Sequence, residues 1–365
     1  MNKLLTRAHY VPILVLLVYC GILALLTIPV VQRELLFLHH VTMPLFPDYR
    51  NPQKYGLGPF KTRNLRLSTA DGEEIGAWHI LPRSSYKSLV PFPPQRPLSG
   101  DVFDKALGER PTVLYFHGNA GTRAVTHRVR SYSAFSNSLD CNVVAIDYRG
   151  FGDSTGTPSE QGLLRDARTA YDFLEHTMRR TGFTKEETAK NVILAGQSLG
   201  TGVVSGLAGQ LENEGIRPRA LVLIAPFTSI TELLTSYRIL HAIPILKPLN
   251  AIPPIQRYFQ SFLAHPFDSI TALKNTSSPT LILHSIDDDI IPYSQSARVF
   301  LSILASASLK SESIEETKYG RWGTIRSFKR SEGGEVVWWE GGNGGHNALG
   351  FAEGTIDLIA RIADL

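Results

Sequence analysis

No Asp, Glu, Lys or Arg occurs between Arg7 and Arg33, and the run from Tyr10 to Val31 is apolar on every face a helix could offer. A bilayer core needs about 20 such residues. Hydrophobicity all round the axis is the mark of a membrane helix rather than of an amphipathic surface helix. A cleaved signal peptide has a shorter apolar region and a small-residue cleavage site, and no good site of that kind is found. The pattern predicts an uncleaved signal anchor over 10–31, after a cytosolic tail (1–9) and before a membrane-proximal segment (32–63). Lys3 and Arg7 precede the span, whereas Arg33 follows it with Glu34 beside it. This bias places the N-terminus in the cytosol and the bulk of the chain in a lumen or outside the cell. The sequon Asn275-Thr276-Ser277 fits that side.

From residue 64 the pattern changes. Short continuous apolar runs recur: VLYF, VVAI, VILA, LVLI and LILH. Strands buried on both faces of a parallel sheet read this way. Strands are expected at 64–68, 74–80, 112–117, 142–147, 191–195, 220–225, 280–284 and 335–339. Helices are expected at 123–138, 159–180 and 199–212. Alternating strands and helices predict an α/β domain over 64–365, with a mostly parallel eight-stranded sheet covered by helices on both faces.

Three stretches interrupt the alternation. Residues 83–109 are rich in Pro and Ser. Residues 228–279 hold Ile, Leu, Pro and aromatic residues, so they are expected to form a helical lid over the sheet edge. Residues 306–334 mix Lys and Arg with Glu and read as a solvated surface loop.

Composition then narrows the classes. Over 365 residues, 37 Lys and Arg against 33 Asp and Glu give a net charge of +4. That weak field does not argue for nucleic acid. Two cysteines, Cys20 inside the apolar run and Cys141, exclude a disulfide framework. No Cys/His cluster, HExxH or phosphate-binding loop occurs, so neither a metal nor a cofactor is expected. The glycines of GFGDSTG have the wrong spacing for a dinucleotide fingerprint, and no helix is expected to open there.

The most specific feature is Gly196-Gln197-Ser198-Leu199-Gly200, between the strand VILA and a small-residue helix. In a strand–turn–helix setting this motif is a nucleophile elbow. The sharp turn raises the Ser198 hydroxyl above the sheet, and side chains at the flanking glycines would collide with neighbouring backbone. A serine hydroxyl is a weak nucleophile and needs a base and an orienting acid. In this arrangement the chain order is Ser, acid, His. After LILH three carboxylates crowd one loop. Asp288, four residues before Pro292, is the first choice of acid, and Asp287 is the alternative. His346 in GGHN, just after EVVWWE, is the base. The backbone N–H groups of Leu199 and of Asn119, in HGNAG after the third strand, are the oxyanion donors. Each such donor contributes about 3–4 kcal/mol to a transition state. His117 is expected to hold that loop rather than to act as a second base.

At these residues the chain resembles the α/β-hydrolase fold family over roughly 60–362. More narrowly, YFHGNAGTRAVTHRV, DYRGFGDSTGTPSE, GQSLGTGV, APFTSI, LILHSIDDDIIP and the late GGH resemble the family of α/β-hydrolase domain-containing protein 12. The Arg residues in HGNAGTRAVTHR favour this family over its thirteen-type and seventeen-type relatives. The resemblance implies a single-pass protein of the endoplasmic reticulum membrane with a lumenal catalytic domain. It implies hydrolysis of lysophosphatidylserine or monoacylglycerol by Ser198, Asp288 and His346, with a lipid ester and the bilayer as partners. A depalmitoylase or peptidase on the same scaffold, or an inactive membrane adaptor, are the alternatives.

Overall fold

The structure is a computed structural model, and it describes residues 10–236 and 247–365. The expected tail 1–9 and part of the expected lid, 237–246, lie outside the described residues. All eight expected strands are present, and two more join them. In chain order they are β1 (Thr62–Ser68), β2 (Glu74–Ile80), β3 (Thr112–Phe116), β4 (Asn142–Ile146), β5 (Val192–Gln197), β6 (Ala220–Ile224), β7 (Thr280–Ser285), β8 (Glu315–Lys318), β9 (Gly323–Lys329) and β10 (Glu335–Gly341). The sheet order is β1-β2-β4-β3-β5-β6-β7-β10-β9-β8. The six strands from β4 to β10 run parallel, and an antiparallel pair closes each edge.

The two extra strands correct the reading of 306–334. That stretch holds a hairpin, β8–β9, which extends the sheet. All four residues of β8 are exposed and polar. An edge strand is often charged, which discourages pairing with other chains, so its composition matches that of a solvated loop. Its charges do structural work across strands. Arg326 of β9 reaches Glu316 of β8 at 2.8 Å and Glu340 of β10 at 3.3 Å. The Pro-rich stretch is ordered too, with helices Arg83–Lys87 and Gly100–Glu109 over a small core of Leu81, Tyr86, Phe103 and Ala106.

Alternation along each central strand feeds two cores. On β3, Leu114 and Phe116 face one cluster, and Val113 and Tyr115 face the other. The first is covered by helices Glu160–Arg180, Leu199–Asn213 and Ser294–Ser306, the second by Thr126–Asn137 and Glu353–Ala363.

The N-terminal apolar run is two helices. α1 (Tyr10–Leu26) and α2 (Pro29–Phe37) meet at 85°. Pro29 opens α2 and explains the break, since it has no N–H to continue α1 and its ring clashes with the preceding turn. Among the described residues no single helix is long and apolar enough to cross a membrane, whereas the bent pair together passes by length and composition. No residue of α1 is buried.

His79 on β2 carries a consequence for stability. It is fully buried, accepts from Arg63 Nε at 3.2 Å, and donates Nε2–H to Asn142 Oδ1 at 2.9 Å. Burial first, and then the Arg63 cation, push its pKa down to about 3. The unfolded chain protonates near the ordinary imidazole value of about 6.5. Stability from this group is therefore complete above about 6.5 and falls as pH drops toward 3, by about 1.4 kcal/mol per pH unit. His79→Gln keeps a donor and an acceptor and should flatten that slope. Urea unfolding in detergent between pH 7 and 4.5 checks it; an unchanged slope refutes the assignment.

Candidate active site

β5 ends at Gln197, and the helix Leu199–Asn213 begins two residues later. Ser198 bridges them with φ +53° and ψ −123°, a backbone region that L-residues avoid. The flanking glycines make the turn possible. A Cβ on Gly196 would strike the Gly200 carbonyl, and a Cβ on Gly200 would strike the Phe116 carbonyl at the end of β3. Leu199 opens the helix, so its N–H has no residue four back within the helix to bond.

The loop after β3 faces this turn. Arg128 holds it from behind, donating Nη2–H to the carbonyls of Gly118 (3.2 Å), Asn119 (3.1 Å) and Ala120 (2.9 Å), and Nη1–H to that of Thr122 (2.9 Å). Three successive carbonyls point toward one guanidinium, and Asn119 lines the same cavity as Ser198 and Leu199. Arg123 anchors the loop deeper. Fully buried, it meets Asp147 and Asp153 and donates to Asn64 Oδ1 at 2.9 Å. His117 lies 3.2 Å from Asp147 and is also fully buried, which lowers its pKa. It is part of this scaffold.

Asp288 and His346 come together across the β7 and β10 ends. His346 Nδ1 is 2.8 Å from Asp288 Oδ2. The other carboxylate oxygen of Asp288 accepts N–H bonds from Ile290 and Ile291, both at 2.9 Å. Burial would raise the Asp288 pKa. Hydrogen bonds from His284, His346 and the Ile291 N–H outweigh it and hold the group well below the ordinary carboxylate range. His284 Nε2 lies 3.0 Å from the Ile291 carbonyl and 3.2 Å from Asp288 Oδ2. A carbonyl only accepts, so this nitrogen carries the proton.

Asp287 does not touch the His346 ring. It accepts from Gly345 N–H at 2.8 Å and Gly344 N–H at 3.4 Å, and so secures the two glycines that lead into His346. Ser198 makes no hydrogen bond to His346 in this state. The two are linked through Gln197, whose Nε2 donates to the His346 carbonyl at 2.9 Å while its Oε1 accepts from Tyr115 at 3.0 Å.

The cavity beside Ser198 holds about 400 Å³ and is almost wholly apolar. α1 and α2 contribute Leu26, Leu35 and Leu36, and the 228–279 insertion contributes Ile230, Leu234, Phe259 and Leu263. Among the described residues, Glu34, His39 and His40 bring ligand atoms within 4.8 Å of one another and could hold a cation; none of them lines this cavity.

The linear pattern points to Ser198, Asp288, His346, Asn119 and Leu199 and carries no signal for the side chains that support them. Arg123 and Arg128 had been noticed as marks of resemblance without a role. Gln197 was only the variable position of a motif, and nothing in a linear pattern links it to a residue 149 positions away.

Comparison with known proteins agrees with this fold. The model of the alpha/beta hydrolase family matches residues 113–308. The lysophosphatidylserine lipase ABHD12 of Danio rerio is 32% identical over 317 residues, 86% of this chain and 77% of its own. Its counterpart in Rattus norvegicus is 35% identical over 297 residues, 79% of this chain and 67% of its own. A Pyrococcus furiosus esterase structure superposes with a TM-score of 0.56 over 89% of this chain and 97% of its own, at 13% identity, and so speaks for the fold alone.

The backbone strain at Ser198 is measurable. Ser198→Gly relieves it and Ser198→Ala does not, so the glycine variant should be the more stable by about 1 kcal/mol. Thermal unfolding of the two side by side checks this; equal stability would mean the turn is unstrained.

Proposed function

The chain belongs to the α/β hydrolase family, in the group that holds the lysophosphatidylserine lipases, and on that premise we propose how it acts. It is a membrane-anchored serine hydrolase that cleaves the carboxylic ester of a single-chain lipid, a lysophospholipid or a monoacylglycerol. What supports this most is the Asp288–His346 pair, 2.8 Å apart, tied by Gln197 to the strained serine of an apolar cavity.

Ser198 Oγ attacks the ester carbonyl. The His346 Nδ1–H is given to Asp288, so Nε2 is the nitrogen that takes the serine proton. Asp288 stays ionised and stabilises the imidazolium. The Leu199 and Asn119 N–H groups receive the charge that develops on the carbonyl oxygen. His346 then returns the proton to the leaving alcohol. Water, with His346 again as base, releases the fatty acid from the acyl-serine.

The cavity volume lies in the range of small-ligand sites, about 300–1,000 Å³, and its leucines and phenylalanines suit an acyl chain. The lid role of 228–279 rests on the same lining residues. Membrane attachment rests on α1. A helix apolar all round, with Leu14 61% and Leu17 63% exposed, has its favourable environment in hydrocarbon. The charge bias favours a catalytic domain on the non-cytosolic side, the family resemblance points to the lumen of the endoplasmic reticulum, and Asn275 of the sequon is exposed.

Ser198→Ala should abolish labelling by a fluorophosphonate probe; persistent labelling at this site refutes the nucleophile. Asp288→Asn should lower kcat about 10⁴-fold, as in other triads, and Asp287→Asn far less. Equal losses would return the acid to Asp287. Lysophosphatidylserine and monoacylglycerol presented beside acyl-peptide thioesters test the substrate class, and preference for the thioesters would make the protein a depalmitoylase.

A further inference from the structure

The N-terminal helices are built into the catalytic site. Ala120 N–H donates to the Phe37 carbonyl at 2.9 Å, Gly121 N–H to Val41 at 2.8 Å and Thr122 N–H to Met43 at 3.2 Å. Asn119 Nδ2 reaches the Leu36 carbonyl at 3.4 Å. The loop that carries one oxyanion donor is thus strapped to the end of α2 and the segment after it.

Nearer the start of α2 lies Gln32. Its Nε2 donates to the Leu26 carbonyl at 2.8 Å and to the Phe262 carbonyl at 2.9 Å. Its Oε1 accepts from Ala264 N–H at 2.9 Å. Leu26 ends α1, and Phe262 and Ala264 follow the helix Pro253–Gln260 of the insertion. One carboxamide therefore joins α1, α2 and the insertion at their common corner. Around it, Leu23 and Leu26 of α1, together with Leu234, pack against Leu249 and Phe259. Leu26, Gln32, Leu234 and Phe259 also line the cavity of Ser198. An apolar surface accordingly runs from the exposed flank of α1, over Leu26, to the nucleophile.

We propose that the seam between the last turn of α1 and the insertion admits the acyl chain of a lipid from the bilayer into the site, with Gln32 as the positioning residue that holds the walls of the seam in register with Ser198. This rests on the membrane lipid-hydrolase reading above. An acyl chain taking this route passes from hydrocarbon to a leucine-lined cavity and is never exposed to water, which apolar surface avoids. Gln32 suits the corner because its amide offers both donors and an acceptor without a charge. Glutamate there would set a carboxylate against two carbonyl oxygens.

The test uses the full chain in phosphatidylcholine vesicles. Its two substrates are a long-chain monoacylglycerol carried in the vesicle and a water-soluble butyrate ester. For each variant the ratio of kcat/KM on the two is measured, with fluorophosphonate labelling to count competent sites. Gln32→Ala should lower the long-chain to short-chain ratio at least tenfold, chiefly through KM for the vesicle-borne ester. Leu26→Trp, which narrows the seam while leaving the Leu26 carbonyl available to Gln32, should lower the ratio in the same way and serves if the first variant does not fold. An unchanged ratio in a labelled, folded variant, whether both rates fall together or neither does, overturns the proposal. A wild-type protein that turns over the butyrate ester and never the monoacylglycerol or lysophosphatidylserine overturns the lipid reading itself, and the route with it.

Discussion

The close approach of backbone at the β5 turn governs this molecule. Gly196, Ser198 and Gly200 press the start of the helix Leu199–Asn213 against the end of β3, so near that a single added Cβ would meet a carbonyl. Ser198 is left in a strained conformation with its hydroxyl raised above the sheet. Strain of that kind persists only where the surroundings over-determine it. Here the surroundings are the six-stranded parallel centre and its two fully buried cores. The position of Ser198 therefore follows from the packing of the whole sheet.

Around that turn, catalytic geometry is maintained by polar groups that are themselves satisfied. Arg128 gathers the carbonyls of the loop after β3, and Arg123 is buried between two aspartates. A buried guanidinium without acceptors would be costly, and one that meets carboxylates in good geometry is rigid. The same logic applies at the other side of the site. Asp288 is approached by two histidines and two backbone N–H groups, and Asp287 secures the glycines that lead to His346. The adjacent carboxylates of one loop thus serve different ends: one orients a ring and the other positions the backbone that carries it.

The arrangement of the N-terminal apolar run follows from a proline. Pro29 breaks the apolar run into a helix with no buried residue and a second, at 85° to it, that joins the domain. A straight span would end in a tether. The bend instead delivers α2 to the cavity, where its leucines share a surface with the insertion and its backbone straps the oxyanion loop. The exposed flank of α1 and the lining of the cavity are therefore parts of one apolar surface.

Much of this was legible in the linear pattern, because the signals were local. Continuous apolar runs marked the buried parallel strands, and the Gly-x-Ser-x-Gly spacing marked the turn, since both reflect contacts made within a few residues. The chain order of serine, acid and histidine pointed to the two loops whose Asp288 and His346 meet at 2.8 Å. The sequence alone left Asp287 and Asp288 as alternatives, since neighbouring residues differ only in the direction their side chains take. The hairpin β8–β9 was hidden because an exposed edge strand has the composition of a loop. The bridges from Gln197 to His346 and from Gln32 to Ala264 join residues 149 and 232 positions apart. Sequence determined which chemistry the chain carries and where the buried strands lie. Only the tertiary structure decided which carboxylate meets the imidazole and which helices wall the cavity, because those depend on distances between segments that no local periodicity records.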